Sequence, residues 1–344
     1  MPFVVTICAT ASYTYAMLTQ ARRVCANIST AGIHPKDVVI ILVGDNSAAL
    51  KRVLDAYKDH IPLATHIHIP VVYGPDNATN YKEEAQLLIA KMREAAHAAA
   101  RALNAEQCWS LDSDVLPPAN ALRCMRTMLE FDNGFYSVST CPYPNTAFLG
   151  GFGTPEHPIA EDFLPHERKL PPELKAEFDA NEAESKALTE PPSPEQLARW
   201  DATNKKIREC PPDGTIWDVI AKHGWRRRGW LDNAYPGIGR GAVVPSDWCG
   251  FGCTLMNREA LALADFAGYE GHGTEDLFVC WHRWHPAGLR INVITHCPCD
   301  HVIWDRKKEG GDATKYNHIV AYHEQRGEAR GHLRTRSVPW KPET

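Results

Sequence analysis

The sequence predicts an α/β fold in which a mixed, mostly parallel sheet is flanked by helices. Strand-like and helix-like segments alternate through the first third of the chain, which is the pattern of βαβ units. The run "VVIILV" at residues 38–43 is apolar throughout, as in strands that are covered on both faces. A chain of 344 residues, of which 44% are hydrophobic and 23% charged, can bury the core that such a fold requires.

The individual elements follow in order along the first 114 residues. Short apolar runs rich in β-branched residues predict strands, and apolar residues recurring every three or four positions predict helices. The strand-like segments are residues 3–10, 37–44, 64–74 and 106–114. The helical segments are residues 13–30, 48–60 and 81–104, the last of them rich in alanine.

Composition changes beyond this first part and predicts four regions. Their boundaries are 1–141, 142–245, 246–304 and 305–344. The second region is rich in proline, glycine and charge, so we expect an insertion of short helices and loops there. Regular apolar patterning returns in the third region, and the fourth is a polar tail that becomes basic towards its end.

Charge and cysteine content narrow the classes of function. A net charge of −5 argues against a generally cationic surface that would coat nucleic acid or an anionic membrane. The start of the chain lacks the positive segment of a secretory signal, and no apolar run is long enough to span a bilayer. We therefore expect no transmembrane segment and a cytoplasmic location. The 11 cysteines are an odd number, which favours reduced thiols over a disulfide framework.

The sequence Asp112-Ser113-Asp114 ends the fourth strand-like segment. Ligands bind at the carboxyl ends of strands in α/β sheets. Two carboxylates there repel each other unless a cation lies between them, and Mn²⁺ or Mg²⁺ prefers such oxygen ligands and bridges to phosphates. The motif predicts a metal and diphosphate site. The alternative is a solvated turn, since Asp and Ser favour turns and proline follows.

Further polar positions follow the later segments in the same order along the chain. The polar residues are Asp45 after the second strand, Glu275 and Asp276 at the start of a helix, and His301 after the last apolar strand. Gly250 and Gly252 lie between them, shortly before a helix start. With the Asp-x-Asp motif, this ordered set resembles glycosyltransferases of the GT-A (Rossmann-like) fold, particularly the inverting family 2 group. The resemblance covers most of residues 3–310 apart from the 142–245 insertion.

The resemblance implies a nucleotide-sugar donor, with a UDP-sugar favoured. It assigns donor-binding roles to Ala9, Thr10, Ala11, Asp45, Arg93, Asp112 and Ser113. Asp45 matches the acid that recognises uracil or ribose, and the loop at residues 9–11 borders the same base. Arg93 matches a helical arginine that faces the diphosphate, with Arg306 and Lys307 as further basic candidates. The opening strand has "CATASYTY" where the family has Pro-Thr-Tyr-Asn.

The metal and catalytic roles are implied in the same way. Asp114 is the direct ligand of Mn²⁺ or Mg²⁺, supported by Asp112, and His301 is a third ligand for which His296 is the alternative. Asp276 matches the catalytic base, and we expect it to stay ionised because it lies at a helix N-terminus. Glu275 is expected to bind acceptor hydroxyls. The "TED" sequence alone is also typical of an ordinary helix start.

The resemblance implies a hexosyltransferase-type enzyme that acts with inversion. Residues 1–141 are then the nucleotide-sugar-binding half, 142–245 the acceptor side, and 246–304 the acceptor and catalytic half. The acceptor is expected to be a glycan or small-molecule hydroxyl.

Several alternatives remain open. The segment 223–235, "HGWRRRGWLDNAY", interleaves arginines with tryptophans, and a hydroxymethylated base in DNA is therefore an alternative acceptor. The other explanation of that segment is a solvated basic surface whose tryptophans are anchored in the core. Two other classes are a nucleotidyltransferase-like enzyme, which predicts a glycine-rich loop after the first strand, and a non-catalytic sugar-binding module. A zinc site in "HCPCDH" is disfavoured because Cys297 and Cys299 are closer in sequence than a usual ligand pair.

Overall fold

The computed structural model describes most of the chain. The described residues are 2–9, 13–45, 47–70, 83–131, 134–143, 170–188, 192–209, 243–246, 248–271, 274–294, 296–303, 315–322 and 332–339, the last two as backbone. The chain divides into two compact units, one of residues 1–155 and 228–344 and the other of residues 156–227. The predicted site residues all belong to the first unit.

Helices and strands alternate through the larger unit. The described helices are α1 Thr14–Thr30, α2 Ala48–Lys58, α3 Glu83–Ala102, α4 Ala121–Glu130, α5 Pro172–Ala187, α6 Pro194–Glu209, α7 Arg258–Leu263 and α8 Glu275–Val279. The strands are β1 Phe3–Cys8, β2 Val38–Gly44, β3 Leu63–His68, β4 Gln107–Asp112, β5 Val115–Leu116, β6 Val138–Thr140, β7 Val243–Ser246, β8 Cys253–Asn257, β9 Ile291–Ile294, β10 Asp300–Ile303, β11 Lys315–Tyr322 and β12 His332–Pro339.

The main sheet has the strand order β3-β2-β1-β4-β8-β6-β9-β7. The first four strands are parallel, as are β6 and β9, whereas β8 is antiparallel to both β4 and β6. The predicted α/β class with a mixed, mostly parallel sheet is therefore confirmed. Six of the seven residues of β2 are buried, in agreement with the apolar run that predicted a strand covered on both faces.

A second, antiparallel sheet has the order β12-β11-β10-β5. It pairs His301 on β10 with Val115 on β5, one residue after Asp114. This pairing brings the segment that contains His301 to the Asp-x-Asp turn. The tail predicted as polar from residue 305 contains β11 and β12, which its sequence pattern did not predict.

The core lies between the main sheet and its helices. Trp109 on β4, Tyr57 on α2 and Trp284 beyond α8 are among the largest fully buried side chains. Local hydrogen bonds set the helix starts: Ser47 Oγ accepts from the Leu50 N–H (3.2 Å) at α2. Among the described residues, no helix is both long and apolar enough to cross a bilayer. In the smaller unit, Thr203 is buried on α6 and its hydroxyl donates to Glu177 on α5 at 2.6 Å.

Candidate active site

The loops that follow β1, β2 and β4 lie side by side at one edge of the sheet. The register places Cys8 beside Val43 on one side and Asp112 on the other. The Ala9 N–H donates to the Val43 carbonyl (2.8 Å), and the Ser113 N–H donates to the Cys8 carbonyl (3.2 Å). The Asp-x-Asp turn therefore starts at the carboxyl end of the parallel strands, where α/β folds place ligands.

Arg93 on α3 joins two of the predicted site carboxylates. Its Nη2 donates to Asp112 Oδ1 at 2.7 Å and its Nε donates to Glu275 Oε1 at 2.6 Å. A third donor, Nη1, is 3.4 Å from Ser110 Oγ, and the guanidinium lies 5.2 Å from the centre of the Phe251 ring. Arg93 is only 3% exposed. Three of its five N–H donors are therefore directed to protein groups, an arrangement that the predicted contact with a diphosphate did not include.

Glu275 also lies in a different place from that expected of an acceptor-binding group. It is 4% exposed, and its carboxylate is paired with Arg93. Burial raises the pKa of Glu275 to about 7, against the opposing effect of Arg93. Both observations indicate a buried group that holds Arg93 in position and does not face the solvent.

The carboxylates of the site interact strongly with one another. Burial raises the pKa of Asp112, and Arg93 opposes that rise. The charges of Asp114 and Asp276 raise the pKa of Asp112 further, which shows that the acidic groups of both motifs lie within electrostatic reach. With Glu275, the four carboxyl groups outnumber the single guanidinium among them. A divalent cation would offset this excess of negative charge.

Asp114 and His301 form the part of the site that fits a metal ion. His301 Nε2 lies 3.3 Å from Asp114 Oδ2, and the Val302 N–H donates to the Asp114 carbonyl at 2.7 Å. Neighbouring ligands of an octahedral ion with bonds of about 2.1 Å are about 3 Å apart, so the two side chains have nearly the separation that a shared ion requires. The edge of the Tyr143 ring packs on His301, with centroids 5.8 Å apart. The alternative ligand, His296, lies instead with Cys124 and Cys297.

Asp276 lies at the start of α8 and is half-buried. Its Oδ1 accepts hydrogen bonds from the Thr274 hydroxyl and from the Leu277 N–H (2.8 Å). Burial raises the pKa of Asp276, and these hydrogen bonds oppose the rise. The expectation that the helix start alone would keep this carboxyl ionised therefore omitted the larger effect, which is desolvation.

The region predicted to bind the base follows β1 and β2, so Ala9 lies one strand and Asp45 two strands away from β4 and Asp112. Ala9 is fully buried, and Gly44 approaches it so closely that an added Cβ would lie 2.5 Å from the Ala9 carbonyl oxygen. Asp45 is half-buried, and its Oδ1 has no hydrogen-bond partner in the described part of the chain. Two strand spacings separate Asp45 from Asp112 by about 10 Å. Thr10 and Ala11 lie outside the described residues.

Three residues to which the sequence analysis gave no role shape the site, and Gly252 is the one of them that it named. Gln20 is fully buried on α1, and its Nε2 donates to the carbonyls of Asp112 and Val115, both at 2.6 Å. Gly252 leaves room for Tyr143, because an added Cβ would lie 2.7 Å from that ring. The Gly252 N–H donates to the Tyr143 hydroxyl at 3.3 Å. The two glycines of "CGFGC" were a sequence signal for a close approach of the chain at this point, whereas no local sequence pattern indicated the role of Gln20.

The structure leaves other predicted contacts without a description. Ser113 is 4% exposed. Arg306, Lys307 and the basic and aromatic segment 223–235 lie outside the described residues.

Comparison with known proteins adds only distant structural similarities. No protein-family model matches the chain, and a search of curated proteins found no match. The chain is similar to GalNAc-T7 solved with UDP, GalNAc and Mn²⁺, at 13% identity over 90% of this chain and 45% of that one, with a TM-score of 0.39. It is similar to S. aureus TarS 1-349 at 13% identity over 47% and 45% (TM-score 0.28), and to A197 from STIV at 13% identity over 88% and 87% (TM-score 0.33). These similarities are slight, with TM-scores of 0.28 to 0.39.

Proposed function

We propose that this chain is a metal-dependent glycosyltransferase that moves a sugar from a nucleotide sugar, with a UDP-sugar as the favoured donor, to an acceptor hydroxyl with inversion. The observation that carries the proposal is the 3.3 Å approach of His301 to Asp114, beside the chain of contacts that links Asp112, Arg93 and Glu275. The charges of Asp114 and of the half-buried Asp276 both act on Asp112, which supports a candidate cation site and a carboxylate that belong to one site. That combination suits the departure of a diphosphate and the deprotonation of a hydroxyl.

Asp114 and His301 are the residues that would hold Mn²⁺ or Mg²⁺. A bound ion would act as a Lewis acid and neutralise charge on the diphosphate leaving group. Asp114 is fixed for this task by its own backbone, since its carbonyl accepts from Val302 and the following residue pairs with β10. The Tyr143 ring limits the movement of the His301 imidazole.

Arg93 and Glu275 are positioning residues in this proposal. Arg93 holds Asp112 through one guanidinium nitrogen and Glu275 through another, so it fixes the distance between the Asp-x-Asp turn and the start of α8. This replaces the diphosphate contact and the acceptor contact expected from the resemblance. Buried guanidinium donors that are already satisfied gain little from turning to a ligand.

Asp276 is the proposed general base. The acceptor oxygen attacks the anomeric carbon as the bond from that carbon to the diphosphate oxygen breaks, and the nucleoside diphosphate leaves with the bonding electron pair. Asp276 takes the hydroxyl proton, which makes the oxygen a better nucleophile. One base on the face opposite the leaving group gives a single displacement and inverts the anomeric configuration.

A panel of nucleotide sugars and nucleoside triphosphates, each with and without Mn²⁺, tests the proposal by thermal shift. We expect a UDP-sugar to raise the melting temperature only when Mn²⁺ is present, with about 2.7 kcal/mol of stabilisation at 100 times its Kd. The responding donor is then incubated with candidate glycans, and the anomeric configuration of the product is read by NMR. A response to nucleoside triphosphates alone, with release of pyrophosphate, would instead support the nucleotidyltransferase alternative.

A further inference from the structure

A second group of potential metal ligands lies apart from Asp114 and His301. Cys124 on α4 meets His296 and Cys297, which follow β9, and their ligand atoms all lie within 4.8 Å of one another. The thiols of Cys124 and Cys297 hydrogen-bond to each other. His296 and Cys297 are adjacent in sequence and Cys124 is far from both, so the sequence contains no spaced ligand pair of the usual zinc pattern here.

We propose that Cys124, His296 and Cys297 bind a zinc ion. Two thiolates and one imidazole form a known ligand set for zinc, with a water molecule in the fourth position. On a tetrahedral zinc with sulfur at about 2.3 Å and nitrogen at about 2.05 Å, two sulfurs are about 3.8 Å apart and a sulfur and a nitrogen about 3.6 Å. Separations of up to 4.8 Å therefore have to shorten by at most about 1.2 Å. Cys124 and His296 are only half-buried, which leaves access for an ion and a water molecule.

The imidazole of His296 supplies an independent indication. Its Nδ1 is buried and has no hydrogen-bond partner in the described part of the chain. A buried ring nitrogen without a partner raises the free energy of the folded state. Zinc binding would remove this penalty if Nδ1 itself coordinates the ion, or if it forms a hydrogen bond while Nε2 coordinates. The neighbouring thiols are weak hydrogen-bond donors, whereas a bound zinc ion would be a strong partner for an imidazole nitrogen.

A neighbouring group of three thiols is a weaker candidate. Cys141, Cys253 and Cys299 also have their sulfurs within 4.8 Å of one another, but all three are fully buried. They belong to the apolar core that contains Trp109. These thiols satisfy one another by hydrogen bonds, and the group contains no imidazole. We therefore assign them to the core.

The proposed zinc ion would tie α4 to the segment that leads to His301. That segment leaves β9 at Ile294 and reaches β10 at Asp300. A crosslink at residues 296 and 297 shortens the free chain between these strands and restricts its motion. The inference is independent of the glycosyltransferase proposal, because metal binding is measured without any substrate.

Titration of the reduced, metal-free full-length protein with Co²⁺ tests the inference. We expect thiolate-to-cobalt charge-transfer absorption at one equivalent, and its displacement by Zn²⁺. The Asp114 and His301 site has no thiolate and gives no such band. The variants Cys124→Ser, His296→Gln and Cys297→Ser are expected to lose or weaken the band at least tenfold, whereas Cys25→Ser, which removes a half-buried thiol on α1, keeps it.

Circular dichroism verifies that each variant is folded. His296→Gln removes a half-buried side chain, so its effect on metal binding is readable even if a cysteine variant is unstable. Absence of a thiolate band in the native chain overturns the inference. A band that persists in Cys124→Ser and His296→Gln but disappears in Cys253→Ser also overturns it and transfers the site to the buried thiols.

Discussion

Replacement of Arg93 by methionine is the perturbation that examines the organisation of the site most sharply. Arg93 is 3% exposed and pairs with Asp112 at 2.7 Å and Glu275 at 2.6 Å. Methionine fills a similar volume but donates no hydrogen bond, so two buried carboxylates lose their cation. Breaking a buried ion pair by removing one partner costs about 3–5 kcal/mol, and we expect the free energy of unfolding to fall by that amount.

The pH dependence of this loss has a definite sign. In the native chain the pKa of Glu275 is raised from 4.5 to about 7, so the folded state loses stability as pH rises from about 4.5 to 7. Arg93 lowers the pKa of both Glu275 and Asp112. Without Arg93 these pKa values rise further, and the loss of stability continues to higher pH. The deficit of Arg93→Met relative to the native chain should therefore be larger at about pH 8 than at about pH 6.

Urea unfolding at the two pH values measures both quantities. Lys91→Met is the matched control, because Lys91 is exposed on the same helix and its replacement should change stability by at most about 0.5 kcal/mol. Adding Glu275→Leu to Arg93→Met removes one unpaired carboxylate and should restore part of the loss. A deficit below about 1 kcal/mol, or one that shrinks as the pH rises, would refute the reasoning.

Two further predictions concern catalysis and packing. Asp276→Asn should lower kcat by about 10²–10⁴-fold while donor binding is retained. The kcat of the native chain should rise with pH around a pKa above the ordinary aspartate value, because burial raises the pKa of Asp276. Near-normal turnover by Asp276→Asn would exclude Asp276 as the base. Gly252→Ala should destabilise the chain by about 1–3 kcal/mol, because its Cβ would lie 2.7 Å from the Tyr143 ring. In the background of Tyr143→Leu the same alanine should cost much less, and equal costs in both backgrounds would show that the ring is not the cause.

Local sequence patterns predicted the first part of the fold because they reflect burial. Strands β1, β2 and β4 follow from apolar runs, and the Asp-x-Asp turn was located because its polarity interrupts such a run. The strand predicted at residues 64–74 is described as β3 over Leu63–His68, where Ala64 alone is buried. The antiparallel β8 between β4 and β6 was harder to predict. Strand β8 has only five residues, Cys253–Asn257, and α7 follows it directly. Over so short a segment the spacing of apolar residues does not distinguish a strand from the start of a helix.

The partners of the site residues were harder to predict than the residues themselves. Arg93 lies on a face of α3 that also contains Ala96 and Ala100, which are almost fully buried. The sequence shows an arginine among alanines, but its partner Glu275 is 182 residues away. Which side chain neutralises a buried guanidinium depends on tertiary packing, and this is why a ligand contact was expected where the structure has an internal ion pair.

Calorimetric titration with UDP, in the presence and absence of Mn²⁺, tests the central claim most directly. We expect binding that requires Mn²⁺ in the native chain, is lost in Asp114→Asn and weakened in His301→Gln, and is unchanged in Asp37→Asn, which alters an exposed acid just before β2. Equal affinity for UDP with and without Mn²⁺, or full Mn²⁺-dependent binding by Asp114→Asn, would contradict the account.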